Sequence, residues 1–154
     1  MLLEKASDLI RLARLDADLS ETELAAESGV SVDQLVAFES GSELPDEAQT
    51  RRLLSAARAR PSLPLMIYRT AIHAAALDHH LRDVRVFGSA ARGEDTESSD
   101  IDLLVRADDG TSLFDVAAFT DAVQRMTGFP VDVMTERQLT SAHFAHVLDE
   151  AVPL

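Results

Sequence analysis

Asp100 and Asp102 stand two residues apart in the stretch Ser99-Asp100-Ile101-Asp102-Leu103-Leu104-Val105. The apolar residues around them predict a β-strand over 100–105, and along a strand alternate side chains share a face. The two carboxylates therefore point one way, while Ile101, Leu103 and Val105 point the other way, toward packing helices. Neighbouring carboxylates repel unless a proton or cation lies between them. A hard divalent ion with oxygen ligands, such as magnesium, fits such a pair. Upstream, Phe87-Gly88-Ser89-Ala90-Ala91-Arg92-Gly93 turns a strand into a short helix. Glycine there lets a ligand approach the backbone, and a helix start offers free N–H groups, so the turn suits phosphate. A third acid, Asp132, lies inside another apolar strand, Val131-Asp132-Val133, where packing gives no reason for a carboxylate. If that strand lies beside the second, three carboxylates meet. Three can hold two divalent ions for in-line displacement at phosphorus.

The spacing Asp-x-Asp alone is weak. The chain has 16 Asp, and a second pair, Asp16-Ala17-Asp18, reads as a solvated helix end. The turn before the strand gives the Asp100/Asp102 pair its meaning. Other constellations stay bland. His79-His80 and His143-x-x-His146 have metal-like spacing but no third ligand nearby in sequence. Ser7, Ser40 and Ser89 lack a nucleophile elbow with a nearby His. Gly88-x-x-x-x-Gly93 lacks the Lys-Ser/Thr of a P-loop.

The elements that must position these residues alternate in the second half of the chain. Helices are expected over 64–77, 88–92, 112–126 and 136–148, and strands over 84–87, 100–105 and 131–134, so this half is α+β or α/β with a small sheet. The first half reads as helices only. One spans 3–15 on Leu9, Leu12 and Ala13. A second starts at Ser20, with Glu23 completing a capping box, and stops at Gly29. A third is capped by Ser31, with Gln34 reciprocating, carries Leu35 and Phe38, and stops at Gly41. Pro45 opens a fourth, with Asp46 and Glu47 in its first turn and Arg58 and Arg60 near its end. Arg60-Pro61-Ser62-Leu63-Pro64 breaks the chain into expected domains 1–60 and 61–154.

Gly-Ser-x-Ala-Arg-Gly followed by Ser-Asp-Ile-Asp-Leu-Leu-Val resembles the polymerase-β-like nucleotidyltransferases, specifically the minimal nucleotidyltransferase group, over roughly 64–154. The resemblance implies that Gly88 and Ser89 hold a nucleotide triphosphate and that Arg92 touches phosphate or supports the turn. It further implies that Asp100, Asp102 and Asp132 bind magnesium, with Asp132 helping to activate an attacking hydroxyl. Members of that group often act as antitoxins, adding AMP from ATP to a partner HEPN-type toxin. A hetero-oligomer with such a toxin is the implied assembly. Only 22 residues follow Asp132, enough for one helix and a tail, so the acceptor is expected to come on another chain. The apolar helix 64–77 is a candidate surface for that chain, or is buried between the domains. An antibiotic-modifying transferase is an alternative that the short C-terminus disfavours.

Residues 9–57 resemble the XRE-type helix-turn-helix family through Leu19-Ser20-x-x-Glu23-Leu24-Ala25, Gly29-Val30-Ser31 and Phe38-Glu39-x-Gly41 with Pro45 behind. The expected fold class is therefore α+β: an all-helical XRE-like domain, then a small polymerase-β-like domain with a short mixed sheet flanked by helices. By that resemblance Ser31, Asp33 and Gln34 would face operator DNA, and the domain would repress its own operon. The charge opposes this. The recognition helix has no Lys or Arg, and residues 1–60 carry 7 basic and 12 acidic side chains. An acid near a phosphate repels it, and phosphate binding needs clustered cations. A helical module for dimerisation or partner contact is the alternative, as is a regulator or toxin-sequestering protein built on an inactive transferase fold.

Composition agrees with a globular chain: 154 residues, 46% hydrophobic and 27% charged. The net charge of -13 excludes a general basic surface for nucleic acid, and the lack of cysteine excludes disulfides, thiolate zinc and cysteine nucleophiles. With no apolar run of bilayer length and no basic, apolar leader, a cytoplasmic protein without membrane contact is expected.

Overall fold

The computed structural model describes residues 5–140 and 145–154. Four helices come first: α1 (Ala6–Asp16), α2 (Glu21–Ser28), α3 (Val32–Ser40) and α4 (Glu47–Ala56). Their ends follow from local chemistry. Ser20 accepts from the Glu23 N–H at 3.2 Å while the Ser20 N–H donates to Glu23 Oε2 at 2.8 Å, closing the expected box. Gly29 and Gly41 end α2 and α3 in the left-handed conformation. At α3 the box is only half made. Ser31 accepts from the Gln34 N–H, but the Gln34 side chain does not return to the Ser31 N–H. The fourth helix begins at Glu47, two residues after Pro45, because Asp46 caps it in a box with Gln49 instead of entering its first turn. It also ends at Ala56, so Arg58 and Arg60 lie beyond it and serve no dipole role there. Arg60 instead pairs with Asp16, so Asp16 is not the bare solvated acid expected of a helix end.

The rest alternates: α5 (Ser62–Asp78), β1 (Leu81–Phe87), α6 (Gly88–Arg92), β2 (Ile101–Ala107), α7 (Leu113–Thr127), β3 (Val131–Thr135), a 3-10 turn (Glu136–Thr140), α8 (Ala145–Glu150) and β4 (Val152–Pro153). The mixed sheet has the order β3-β2-β1-β4. β2 and β3 are parallel, joined through α7, and β1 is antiparallel to both β2 and β4. A bulge interrupts β1 between Arg82 and Arg85. One face of the sheet carries Val84, Val86, Ile101, Leu103, Val105 and Val131 into the core against α5 and α7.

Most of the apolar surface of α5 is buried within this chain, while Met66 and Leu77 stay exposed. Leu63, Leu65, Tyr68, Ile72, Ala75 and Ala76 are buried in a cluster that also contains Leu9, Ile10, Leu24 and Leu35 of the first helices. One continuous apolar core thus runs through both halves. The single terminal helix expected over 136–148 is instead a 3-10 turn and the separate helix α8. The unforeseen β4 then adds a fourth strand at the edge of β1. No helix among the described residues is long and apolar enough to cross a membrane.

Candidate active site

The sheet register places the acids. Asp102 of β2 is opposite Phe87 of β1, and on its other side it is in register with Asp132 of β3. Directly opposed residues share a face. The strand edge at Phe87 therefore feeds the Gly88-Ser89 turn over the same face that carries Asp102 and Asp132. Asp100 lies just before β2, whose first residue is Ile101, so the strand is one residue shorter at this end than expected. Asp100 and Asp132 are exposed, and Asp102 is half-buried.

Gly88 has φ +70°, and a Cβ there would collide with the Asp102 carboxylate, whose Cγ it would approach to 3.2 Å. Only glycine allows both the left-handed conformation and this contact. The turn is stiffened behind: the Glu94 N–H donates to the Ser89 carbonyl at 2.9 Å, and Gly93, φ +70°, closes α6. The Ser89 side chain is half-buried and has no hydrogen-bond partner among the described residues.

The electrostatics of the site are those of a cation-seeking cluster. The Asp102 carboxyl is pushed above the usual carboxylate range, first by burial, then by the charges of Asp132, Asp100 and Glu150, with Arg92 opposing. Among the described residues no Lys, Arg or His pairs with Asp100, Asp102 or Asp132. The three do not stand close enough to make a ready metal cage, and no other group of three His, Asp or Glu does so among the described residues. The three-acid convergence expected from sequence is therefore looser than a preformed site. This donor set still fits magnesium, which takes one or two carboxylates and completes its octahedron with phosphate oxygens and water.

Arg92 is engaged in ion pairs. It donates to Glu94 Oε2 at 2.7 Å and to Glu150 of α8. Glu150 is the site residue that sequence reasoning missed. It is distant in the chain, and nothing in its spacing signals that α8 packs beside α6. The remaining candidates are dispersed. Ser31 and Asp33 are exposed on the first turn of α3 and Gln34 is half-buried. His143 and the side chain of His146 lie outside the described residues.

The family described as "Nucleotidyltransferase domain" matches residues 74–152. A candidate protein adenylyltransferase of Methanocaldococcus jannaschii is 37% identical over 76 residues, covering 49% of this chain and 82% of the relative. The protein adenylyltransferase MntA of Thermococcus cleftensis is 35% identical over 72 residues, covering 47% of this chain and 73% of the relative. A solved structure described as a candidate minimal nucleotidyltransferase superposes with a TM-score of 0.56 at 41% identity, covering 60% of this chain and 95% of the other.

Proposed function

Because this chain belongs to the nucleotidyltransferase domain family and is a nucleotidyltransferase, we propose that it transfers AMP from ATP to a hydroxyl of a partner protein. The observation that carries the reading is the contact of Gly88 with the Asp102 carboxylate, with Asp132 in register on the next strand. The backbone and hydroxyl of Ser89 bind the triphosphate. Asp100 and Asp102 would hold magnesium. Magnesium, when bound, offsets charge on the phosphates and lowers the pKa of the attacking hydroxyl.

The acceptor oxygen attacks the α-phosphorus and a new P–O bond forms. The bond to the β-phosphate bridging oxygen breaks, and pyrophosphate leaves. Asp132, exposed and without a cationic partner among the described residues, accepts the hydroxyl proton. Arg92 lies near enough to oppose the acids' effect on Asp102, and steadies phosphate charge.

The partner we infer is a HEPN-type toxin, silenced by the modification in a toxin–antitoxin pair. The exposed acids leave room for an acceptor on another chain. Two relatives named as protein adenylyltransferases agree with a protein acceptor. The first four helices, on this reading, form an XRE-like domain that allows operon autoregulation. The test is incubation with labelled ATP, magnesium and the product of the neighbouring gene. Label on that protein, lost in Asp100→Ala and Asp102→Ala, is expected. Silencing of the partner that survives both substitutions overturns transfer in favour of sequestration. A mobility-shift assay on the promoter at physiological salt tests autoregulation.

A further inference from the structure

Asp95 is a carboxylate whose side chain is fully buried, five residues before Asp100. A buried carboxylate needs partners, and this one has two. The Ser62 N–H donates to Oδ2 at 2.7 Å and Arg60 Nη1 donates to Oδ1 at 3.2 Å. The first bond does the work of a cap: Pro61 at the head of α5 has no side-chain cap of its own. The second bond continues outward. The same guanidinium grips Asp16 at the end of α1, Nη2 to Oδ1 at 2.7 Å and Nε to Oδ2 at 2.8 Å. Such a fork is directional, and it holds Asp16 below the usual carboxylate range.

Asp95 sits between the two halves of the active site. Behind it, the Glu94 N–H is bonded to the Ser89 carbonyl of the phosphate turn. Ahead of it, the chain folds into a closed turn. The Ser99 N–H donates to the Thr96 carbonyl at 3.0 Å and the Thr96 N–H donates to Ser99 Oγ at 3.0 Å. That turn delivers Asp100 directly, and the Ile101 N–H then bonds to the Pro130 carbonyl beside β3. Asp95 is thus the buried side chain between these two bonded turns, and its only charged partner among the described residues is Arg60.

We propose that Arg60 is a positioning residue for the transferase, tying α1 through Asp16 and Asp95 to the loop that sets Asp100 against the Gly88-Ser89 turn. The proposal deepens the transferase reading and rests on it for its kinetic consequence. Without Arg60, Asp95 keeps a buried charge with one backbone N–H, and the loop loosens. A misplaced Asp100 weakens the reaction more than nucleotide binding, which Ser89 and the phosphates still support.

The test compares wild type, Arg60→Ala, Arg60→Lys and Asp16→Asn in full-length protein, well below the lowest unfolding midpoint. AMP transfer from labelled ATP is measured together with amide hydrogen exchange across the chain. In Arg60→Ala, kcat should fall about tenfold with KM for ATP changed by less than about twofold. Exchange should speed up at 94–100 while the sheet stays protected. Arg60→Lys should restore most of both, and Asp16→Asn should lie between. Unchanged exchange at 94–100, or a uniform rise over all helices and strands, overturns the proposal whatever the activity. If wild type transfers no AMP the reaction fails as a reading, and the exchange measurement still decides the tie.

Discussion

Asp102 is the residue at which folding and chemistry conflict. Its carboxyl is raised by burial and by Asp132, Asp100 and Glu150, and no cation bonds to it among the described residues. A carboxyl whose pKa is higher folded than unfolded destabilises the fold when ionised. That cost is present above the folded pKa and vanishes as pH falls below the unfolded one. Asp102→Asn keeps the shape that Gly88 packs against and removes the charge. At neutral pH the variant should melt a few degrees higher, on the order of 1 kcal/mol, while AMP transfer falls by at least about 100-fold. Scanning calorimetry with and without magnesium and ATP checks both sides. Added magnesium and ATP should raise the wild-type midpoint by mass action and raise that of the variant clearly less. A variant that melts lower than wild type would show that the acid serves the fold and not the site.

Among the elements, α1 and α3 are joined by a buried ion pair with no obvious marker in the sequence. Arg14 Nε and Nη2 donate to the two oxygens of Glu39 at 2.7 Å each, and Nη1 donates to the Leu19 carbonyl at 3.0 Å. Both side chains are nearly buried, 11% and 7% exposed, and the carboxylate holds the Arg14 guanidinium above its usual value. Removing one partner strands a buried charge. Glu39→Ala should cost about 2 kcal/mol, less than a fully enclosed pair because Glu21 stands 4.0 Å from the guanidinium and can take over part of its charge. A urea titration would read this as a lower midpoint at unchanged slope. The contrast with the helix ends explains what was legible. Ser20 with Glu23, and Gly29, Gly41 and Gly128, act within four residues of their partners, so spacing alone declares them. The Gly88-Ser89 turn and the alternation around Asp102 are local in the same way. Glu150, Asp95 and β4 are not. Val152 and Pro153 form a strand only because the edge of β1 lies beside them, and Glu150 reaches Arg92 across 58 residues. The charge of Arg60 suits a helix end in the sequence, while its partners Asp16 and Asp95 lie 44 and 35 residues away.

For the molecule as a whole, two electrostatic effects of opposite sign act on one stability curve. The net charge of -13 at pH 7 is spread over both halves, so the folded chain repels itself, and this cost fades as the chain takes up protons on the way down from neutral pH toward its isoelectric point near 4.6. Against it stand carboxyls held below their ordinary range: Asp16 by Arg60, and Glu23 and Asp115 by the Ser20 and Ser112 hydroxyls and N–H groups they bond. A depressed carboxyl contributes stability above its unfolded pKa, about 4, and loses it as pH falls through the folded value. Repulsion therefore dominates the alkaline side and lost ion pairs and caps dominate below about pH 4. The melting midpoint should peak between about pH 5 and 6.5. Salt separates the two arms. At pH 8 sodium chloride screens long-range repulsion and should raise the midpoint by a few degrees, because exposed charges spaced beyond about 10 Å are screened first at 0.1 M. Near pH 5, where the repulsion has largely gone, the same salt should change the midpoint little or lower it by weakening pairs such as Arg60–Asp16. A midpoint flat from pH 5 to 9 and indifferent to salt would mean that the excess acids are too far apart to act on folding. The acidic field would then also fail as the reason to doubt that α3 docks on phosphate.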